Sequence, residues 1–326
     1  MENNLWESFQ SVNNDEQKRI ELTSAITNRM LRFGLPETTF FQSYEREAEL
    51  LDMLYRGMAD DETLTRGFEA FRKFVPKVPS EIFDRYRAIR HELRKLDLDT
   101  LIIGACGLSP LGLIMAEENP ELNVIDTDLS DVVEYRRSLG IQSPRGYNLT
   151  TLNLLDPAQE DASNIPKGEK VAMVVEGLVF YLDEGQRKQL NNGLRRIAEQ
   201  VTMPSAKDVH YIFDVYVADE PSRQRDTVVD SEHPQWKDFM KLVSNVYEGQ
   251  KAFFRSREDV ISYLESSGYE NANASQQSSR DSAHTIFACK YHISGKRLYN
   301  VLANRIAAVN AGLITTKKSR SAKNRK

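Results

Sequence analysis

Cysteine is nearly absent from this chain: Cys106 and Cys289 are the only two among 326 residues. Two thiols build neither a disulfide framework nor a thiolate zinc centre. Histidine is almost as scarce, with five scattered residues, which speaks against a protein-bound metal. No run of about 18 consecutive apolar residues occurs, so a membrane-spanning helix is excluded. The opening Met1-Glu2-Asn3-Asn4-Leu5-Trp6-Glu7 has no basic stretch leading into an apolar one and does not read as a secretory signal. These absences predict a reduced, soluble, cytoplasmic protein. Apolar residues make up 40% of the chain, enough for the core of one large or two modest domains.

Charge is unevenly placed. Lys317, Lys318, Arg320, Lys323, Arg325 and Lys326 put six positive charges on the last ten residues, so a formal net charge of −5 leaves −11 on residues 1–316. A body that acidic repels a phosphate backbone, which argues against a nucleic-acid partner. Residues 317–326 read as a basic, disordered, solubilising tail, with contact to RNA or anionic lipid as the alternative. Nothing in the pattern specifies an oligomeric state.

Residues 1–98 read as a helical region. Leu22, Ile26, Met30 and Leu31 recur at helical spacing, as do Leu50, Leu51, Leu54 and Tyr55. Phe68, Phe71, Arg72 and Val75 continue the pattern until Pro76 and Pro79 interrupt it. Ser80 is then expected to cap a helix carrying Ile82, Phe83, Tyr86, Ile89 and Leu93. From Asp99 the pattern changes. Thr100-Leu101-Ile102-Ile103-Gly104 is a short continuous apolar run, the signature of a strand buried on both faces. Further strands are expected over Leu122–Asp126, Asn148–Leu154, Val171–Val175, Val209–Val217 and His284–Lys290. Helices are expected over Pro110–Glu118, Ser130–Ser138, Glu184–Gln200, Trp236–Tyr247 and Ser256–Ser267. Such alternation predicts an α/β fold with a doubly wound, mostly parallel sheet over residues 99–295, followed by a C-terminal helix over 296–316. Ligands of that architecture bind beyond the carboxyl ends of the strands.

Three segments fall at those ends. Gly104-Ala105-Cys106-Gly107-Leu108-Ser109-Pro110-Leu111-Gly112 joins the first strand to its helix, with small residues that permit close backbone approach. Ser109 is expected to cap the helix with Pro110 in its first position. The spacing is neither Gly-x-Gly-x-x-Gly nor a P-loop, and a plain tight turn is the alternative to a ligand loop. Asn123-Val124-Ile125-Asp126-Thr127-Asp128 places Asp128 21 residues beyond Gly107, where an acid accepts hydrogen bonds from the ribose of an adenosine ligand or simply caps a helix. That ribose belongs to both NAD and S-adenosylmethionine, so the acid does not separate them.

The third segment, Val171-Ala172-Met173-Val174-Val175-Glu176-Gly177-Leu178-Val179-Phe180-Tyr181-Leu182, sets a carboxylate directly after a buried strand and follows it with an apolar, aromatic stretch. A buried Glu176 requires a partner: a helix end, an ion pair, or a ligand in the cleft. Taken together, Gly-Ala-Cys-Gly-Leu-Ser-Pro, Asp-Thr-Asp-Leu-Ser and Val-Glu-Gly-Leu-Val-Phe-Tyr-Leu resemble the leucine carboxyl methyltransferase family. This is a class I S-adenosylmethionine-dependent group that includes polyketide-tailoring O-methyltransferases. The resemblance covers roughly residues 80–290.

The resemblance implies a seven-stranded Rossmann-like sheet, S-adenosylmethionine as cofactor, and an N-terminal helical region covering the cleft. It implies that Arg85, in Ile82-Phe83-Asp84-Arg85-Tyr86-Arg87-Ala88-Ile89, receives the methionine carboxylate. Gly104 and Gly107 would line methionine and ribose, Asp128 would hold the ribose, and Glu176 matches the acid after the fourth strand. Asn153-Leu154 stands where the family usually has Asp-Leu beside the adenine, and Ser109-Pro110-Leu111 replaces its frequent Asp-x-Arg.

Methyl transfer to a carboxylate needs no general base, whereas a hydroxyl acceptor usually does, most often a histidine. His233 lies in the polar stretch after the fifth strand and is the one candidate base in a plausible place, beside the plainer reading of an exposed loop residue. Arg223 and Arg225 in the same stretch either meet an acidic substrate or are solvated. Tyr181, Tyr216 and Trp236 are candidate substrate contacts, or core aromatics. Cys106 has no histidine nearby in sequence and is not expected to act as a nucleophile, and His284 is expected to begin a buried strand. The expected reaction is O-methylation of a small molecule or a carboxyl group. An NAD-dependent oxidoreductase on the same fold, and a cofactor-binding regulatory protein without turnover, are the alternatives.

Overall fold

A computed structural model describes residues 27–35, 44–56, 78–156, 164–203, 205–206, 208–216, 254, 256–267, 269, 273–276 and 284–292. Residues 27–34 are helical, followed by α1 (Glu45–Tyr55) and α2 (Val78–Arg94). The α/β part runs β1 (Thr100–Gly104), α3 (Leu111–Glu118), β2 (Asn123–Asp128), α4 (Ser130–Ser138), β3 (Tyr147–Thr151), β4 (Val171–Val175), a 3-10 turn (Val179–Tyr181), α5 (Glu184–Val201), β5 (Asp208–Tyr216), α6 (Arg257–Ser266), β6 (Asn273–Gln276) and β7 (His284–His292). The expected helix over Trp236–Tyr247 and everything from residue 293 onward lie outside the described residues. Among the described residues, no helix is long and apolar enough to cross a membrane.

The strands form one seven-stranded sheet in the order β3-β2-β1-β4-β5-β7-β6. β1 to β5 pair in parallel, and β7 runs antiparallel to both β5 and β6. This is the doubly wound, mostly parallel sheet expected from the alternation, closed by an antiparallel hairpin at one edge. The continuous apolar runs have a simple cause. Leu101, Ile103, Val124, Ala172 and Val174 pack into a core with α2, α3 and the 27–34 helix. Their neighbours Ile102, Ile125, Val171, Met173 and Val175 pack into a second core under α5 and α6. Both faces are covered, so both sets of alternating side chains are apolar.

Local chemistry explains the helix ends. Asp183 accepts the Gln186 amide while the Gln186 side chain accepts the Asp183 amide, a reciprocal cap that starts α5. Three expectations are corrected. α2 begins at Val78, ahead of Ser80, because Pro79 is tolerated in a first turn whose amides have no intrahelical partner. α3 begins at Leu111 with Pro110 as its cap residue, so Ser109 lies outside the helix and its Oγ only reaches the Leu111 amide at 3.4 Å. β3 stops at Thr151 rather than Leu154, because the Asn153 side chain accepts the Leu155 amide and turns the chain.

Candidate functional site

The strand order reverses between β1 and β4, which lie side by side with Gly104 opposite Val175. Loops leaving neighbouring strands diverge there and open a crevice at the carboxyl ends. Register sets what lines it. Gly104 pairs with Thr127 of β2, and Val175 pairs with Phe213 of β5. The residues one step beyond, Ala105, Asp128, Glu176 and Asp214, therefore emerge at one level.

The loop after β1 is bent by two left-handed residues, Ala105 at φ 52° and Gly107 at φ 49°. At Gly107 the absence of a Cβ makes that conformation cheap, whereas Ala105 carries strain. The bend is held on several sides. Asp128 Oδ2 accepts the Gly107 amide at 2.7 Å, and Asn28 Nδ2 donates to the Leu108 carbonyl at 2.9 Å. Arg136 donates through Nη1 to the Gly107 carbonyl and to Cys106 Sγ, each at 3.0 Å, and through Nη2 to Asp126 Oδ2 at 2.8 Å. Burial raises the Cys106 thiol well above its ordinary value, so it stays protonated, in keeping with a packing role.

Arg85 is the second anchor. It projects from the buried stripe of α2 that also carries Ile82, Tyr86 and Ile89, and its side chain is 4% exposed. Its Nε donates to Glu176 Oε1 at 2.8 Å, and its Nη1 to Asp214 Oδ2 at 3.3 Å. Asp214 is fully buried, and its other oxygen accepts the Gly177 amide at 2.6 Å. Gly177 sits at φ 71°; among the described residues, a Cβ there would meet only Arg85 Nη2, at 3.8 Å. Loss of solvation raises the Glu176 carboxyl above its ordinary value, with Arg85 pulling the other way and Asp214 reinforcing the rise. Asp128 is likewise raised by burial, against the pull of the Gly107 and Leu129 amides.

Arg85 and Glu176 are thus brought together across 91 residues, as an ion pair. Asp128 sits under the loop, accepting the Gly107 amide through Oδ2 and, through Oδ1, the amide of Leu129, the cap residue of α4. Gly104 and Leu154 meet, but the space that a Gly104 Cβ would take is filled by Leu154 Cδ1, so the close approach there is to Leu154. Asn153 Oδ1 serves its own turn. Tyr181 ends the 3-10 turn half-buried, and Tyr216 ends β5 opposite His284. His233, Trp236, Arg223 and Arg225 lie outside the described residues. Sequence reasoning missed Asp214 and Arg136. An acid inside the apolar run of β5 was the available signal for Asp214, since a buried charge demands a partner.

A guanidinium held between two acids beside a tight backbone loop has the chemistry to meet a ligand carboxylate at the strand tips. The chain matches no family model and no curated protein sequence. Its structure is similar to that of human N-acetylserotonin methyltransferase in complex with SAM, at 13% identity and a TM-score of 0.43, covering 89% of this chain and 70% of that one. A DUF574 family protein from Streptomyces avermitilis is similar at 15% identity and a TM-score of 0.45, covering 72% and 94%. Magnesium protoporphyrin IX methyltransferase from Synechocystis with bound SAH is similar at 13% and 0.42, covering 72% and 98%.

Proposed function

We propose that this protein is an S-adenosylmethionine-dependent methyltransferase acting on an oxygen of a small molecule or a carboxyl group. The observation that carries the reading is the convergence of Arg85, Glu176 and Asp214 beside the left-handed loop at the β1–β4 switch point. When bound, S-adenosylmethionine supplies a methyl group on a positively charged sulfur. In this reading Arg85 receives the methionine carboxylate, Glu176 lies against the amino-acid end, and Asp128 holds the ribose. The Gly104–Leu108 backbone passes along the ligand, with Leu154 and Asn153 near the base. Alignment and exclusion of water are the protein's main tasks in such a displacement. Tyr181, Tyr216 and Trp236 are the proposed acceptor contacts. His233 is the proposed base should the acceptor be a hydroxyl.

The proposed organisation is a helical region over residues 1–98, the sheet domain over 99–295, a C-terminal helix over 296–316 and a basic tail over 317–326. Calorimetric titration of the full chain with S-adenosylhomocysteine and, separately, NADH tests the assignment. Binding of the first and not the second is expected. Binding of NADH alone would replace the reading with a dehydrogenase. Binding of S-adenosylhomocysteine without methyl transfer to any acceptor offered would favour a regulatory protein.

A further inference from the structure

Among the described residues, two carboxylates converge on one guanidinium at the head of the crevice. Glu176 takes Arg85 Nε and Asp214 takes Arg85 Nη1, with side-chain exposures of 12% and 0%. Neither acid is placed by chance. The Val175–Phe213 register sets Glu176 and Asp214 at the same height, and the 2.6 Å contact from the Gly177 amide fixes Asp214 against the exit of β4. A ligand that brings its own carboxylate to Arg85 adds a third negative group to this cluster. Such a ligand is favoured to the extent that it also brings positive charge, because little solvent remains to screen the acids.

The donor of the proposed reaction and its by-product differ in that respect. Both carry an amino-acid ammonium and carboxylate, but the donor has a sulfonium where S-adenosylhomocysteine has a neutral thioether. Resting on the methyltransferase reading, we infer that Glu176 and Asp214 together make the site selective for the sulfonium donor over the demethylated by-product, so that transfer of the methyl group itself promotes release. The acids act here through charge at the amino-acid end, and Asp214 is a specificity-determining residue as well as a strut for Gly177.

The test compares dissociation constants for S-adenosylmethionine and S-adenosylhomocysteine, measured by calorimetry on the full chain and its variants. Glu176→Gln keeps an oxygen that can accept from Arg85 Nε and removes the charge; Asp214→Asn removes the buried charge and keeps an acceptor for Gly177. Each is expected to shift the affinity ratio about tenfold toward the by-product, the scale for one unit charge several ångströms away in a partly screened site. Glu184→Gln, an equal charge change on an exposed pair with Lys188, is expected to leave the ratio alone. A loss of affinity equal for both ligands in both acid variants would show that the acids only hold the site together, and would overturn the inference while leaving the methyltransferase reading in place. Failure of the wild-type chain to bind either ligand would overturn both.

Discussion

Arg136 reaches from α4 to the carbonyl of Gly107, 29 residues earlier in the chain, at 3.0 Å. The same guanidinium holds Asp126 Oδ2 at 2.8 Å and meets the Tyr147 hydroxyl at 3.0 Å, so one buried side chain ties the loop after β1 to β2 and β3. Asp126 is fully buried, and loss of solvation raises its carboxyl despite the cation beside it. A loop carrying a strained Ala105 needs such external support, because its own conformation is not the one its residues prefer.

Removing that support should be costly. Arg136→Met leaves Asp126 as an uncompensated buried charge, for which a destabilisation of about 3–5 kcal/mol is expected in urea unfolding. The double variant Arg136→Met with Asp126→Leu should recover much of the loss, since it removes both charges rather than one. A double variant no more stable than the single one would show that the pair is not the main cost.

Asp128 supports the loop from the other side, through the Gly107 amide at 2.7 Å and the Leu129 amide at 2.8 Å. Asp128→Ala is therefore expected to weaken S-adenosylhomocysteine by about 1–3 kcal/mol, the scale for losing hydrogen bonds to a charged group. Titration calorimetry reads this directly. Unchanged affinity would count against both the ribose contact and the loop's dependence on this acid.

Much of this arrangement is legible in the sequence, and the exceptions share a cause. β1 and β4 are visible because burial on both faces demands unbroken apolar runs, and Glu176 is visible because it interrupts one abruptly. β6, Asn273–Gln276, has no apolar residue but Ala274 and exists through its antiparallel pairing with β7, a partnership with no local signature. Arg136 sits in Ser-Asp-Val-Val-Glu-Tyr-Arg-Arg-Ser, a stretch that looks solvent-exposed until the fold brings Asp126 to it. Asp214 shows in the sequence only as an acid interrupting the apolar run of β5, and its partners become visible when the register sets it beside Glu176. The expected caps at Ser80 and Ser109 failed for a simpler reason: Pro79 and Pro110 can both occupy the start of a helix, so proline does not fix which residue precedes it.

The raised Glu176 carboxyl makes a pH prediction of definite sign. Between its raised folded value and the ordinary 4.5 of an unfolded chain, the folded protein holds a proton that the unfolded one has released. Stability attributable to this group is therefore greatest at low pH and is lost as pH rises through the folded value. Glu176→Gln has no such titration. The stability of Glu176→Gln relative to wild type should rise as pH increases from about 4.5 through the folded value, whatever the offset between them at either end. Thermal unfolding of the two proteins across that range measures it, and a difference that stays flat or falls would contradict the assigned direction.

Two arginines on α2 have different partners, which separates the proposed ligand contact from the scaffold. Arg90 pairs with Glu47 of α1 and Glu118 of α3, clasping the N-terminal helices to the sheet domain away from the crevice. Arg85, five residues earlier, turns to the strand tips and to Glu176 and Asp214. Arg90→Ala leaves Glu47 buried without its cation, so a lowered unfolding midpoint is expected, with the affinity of the folded fraction for S-adenosylhomocysteine retained. Arg85→Ala removes the proposed partner of the ligand carboxylate and should cost at least tenfold in affinity, on the scale of about 1.5–3 kcal/mol for a hydrogen bond to a charged group. Measuring affinity and unfolding midpoint on both variants decides between the two roles. If Arg90→Ala abolishes binding in a folded protein while Arg85→Ala spares it, the carboxylate contact has been placed on the wrong arginine.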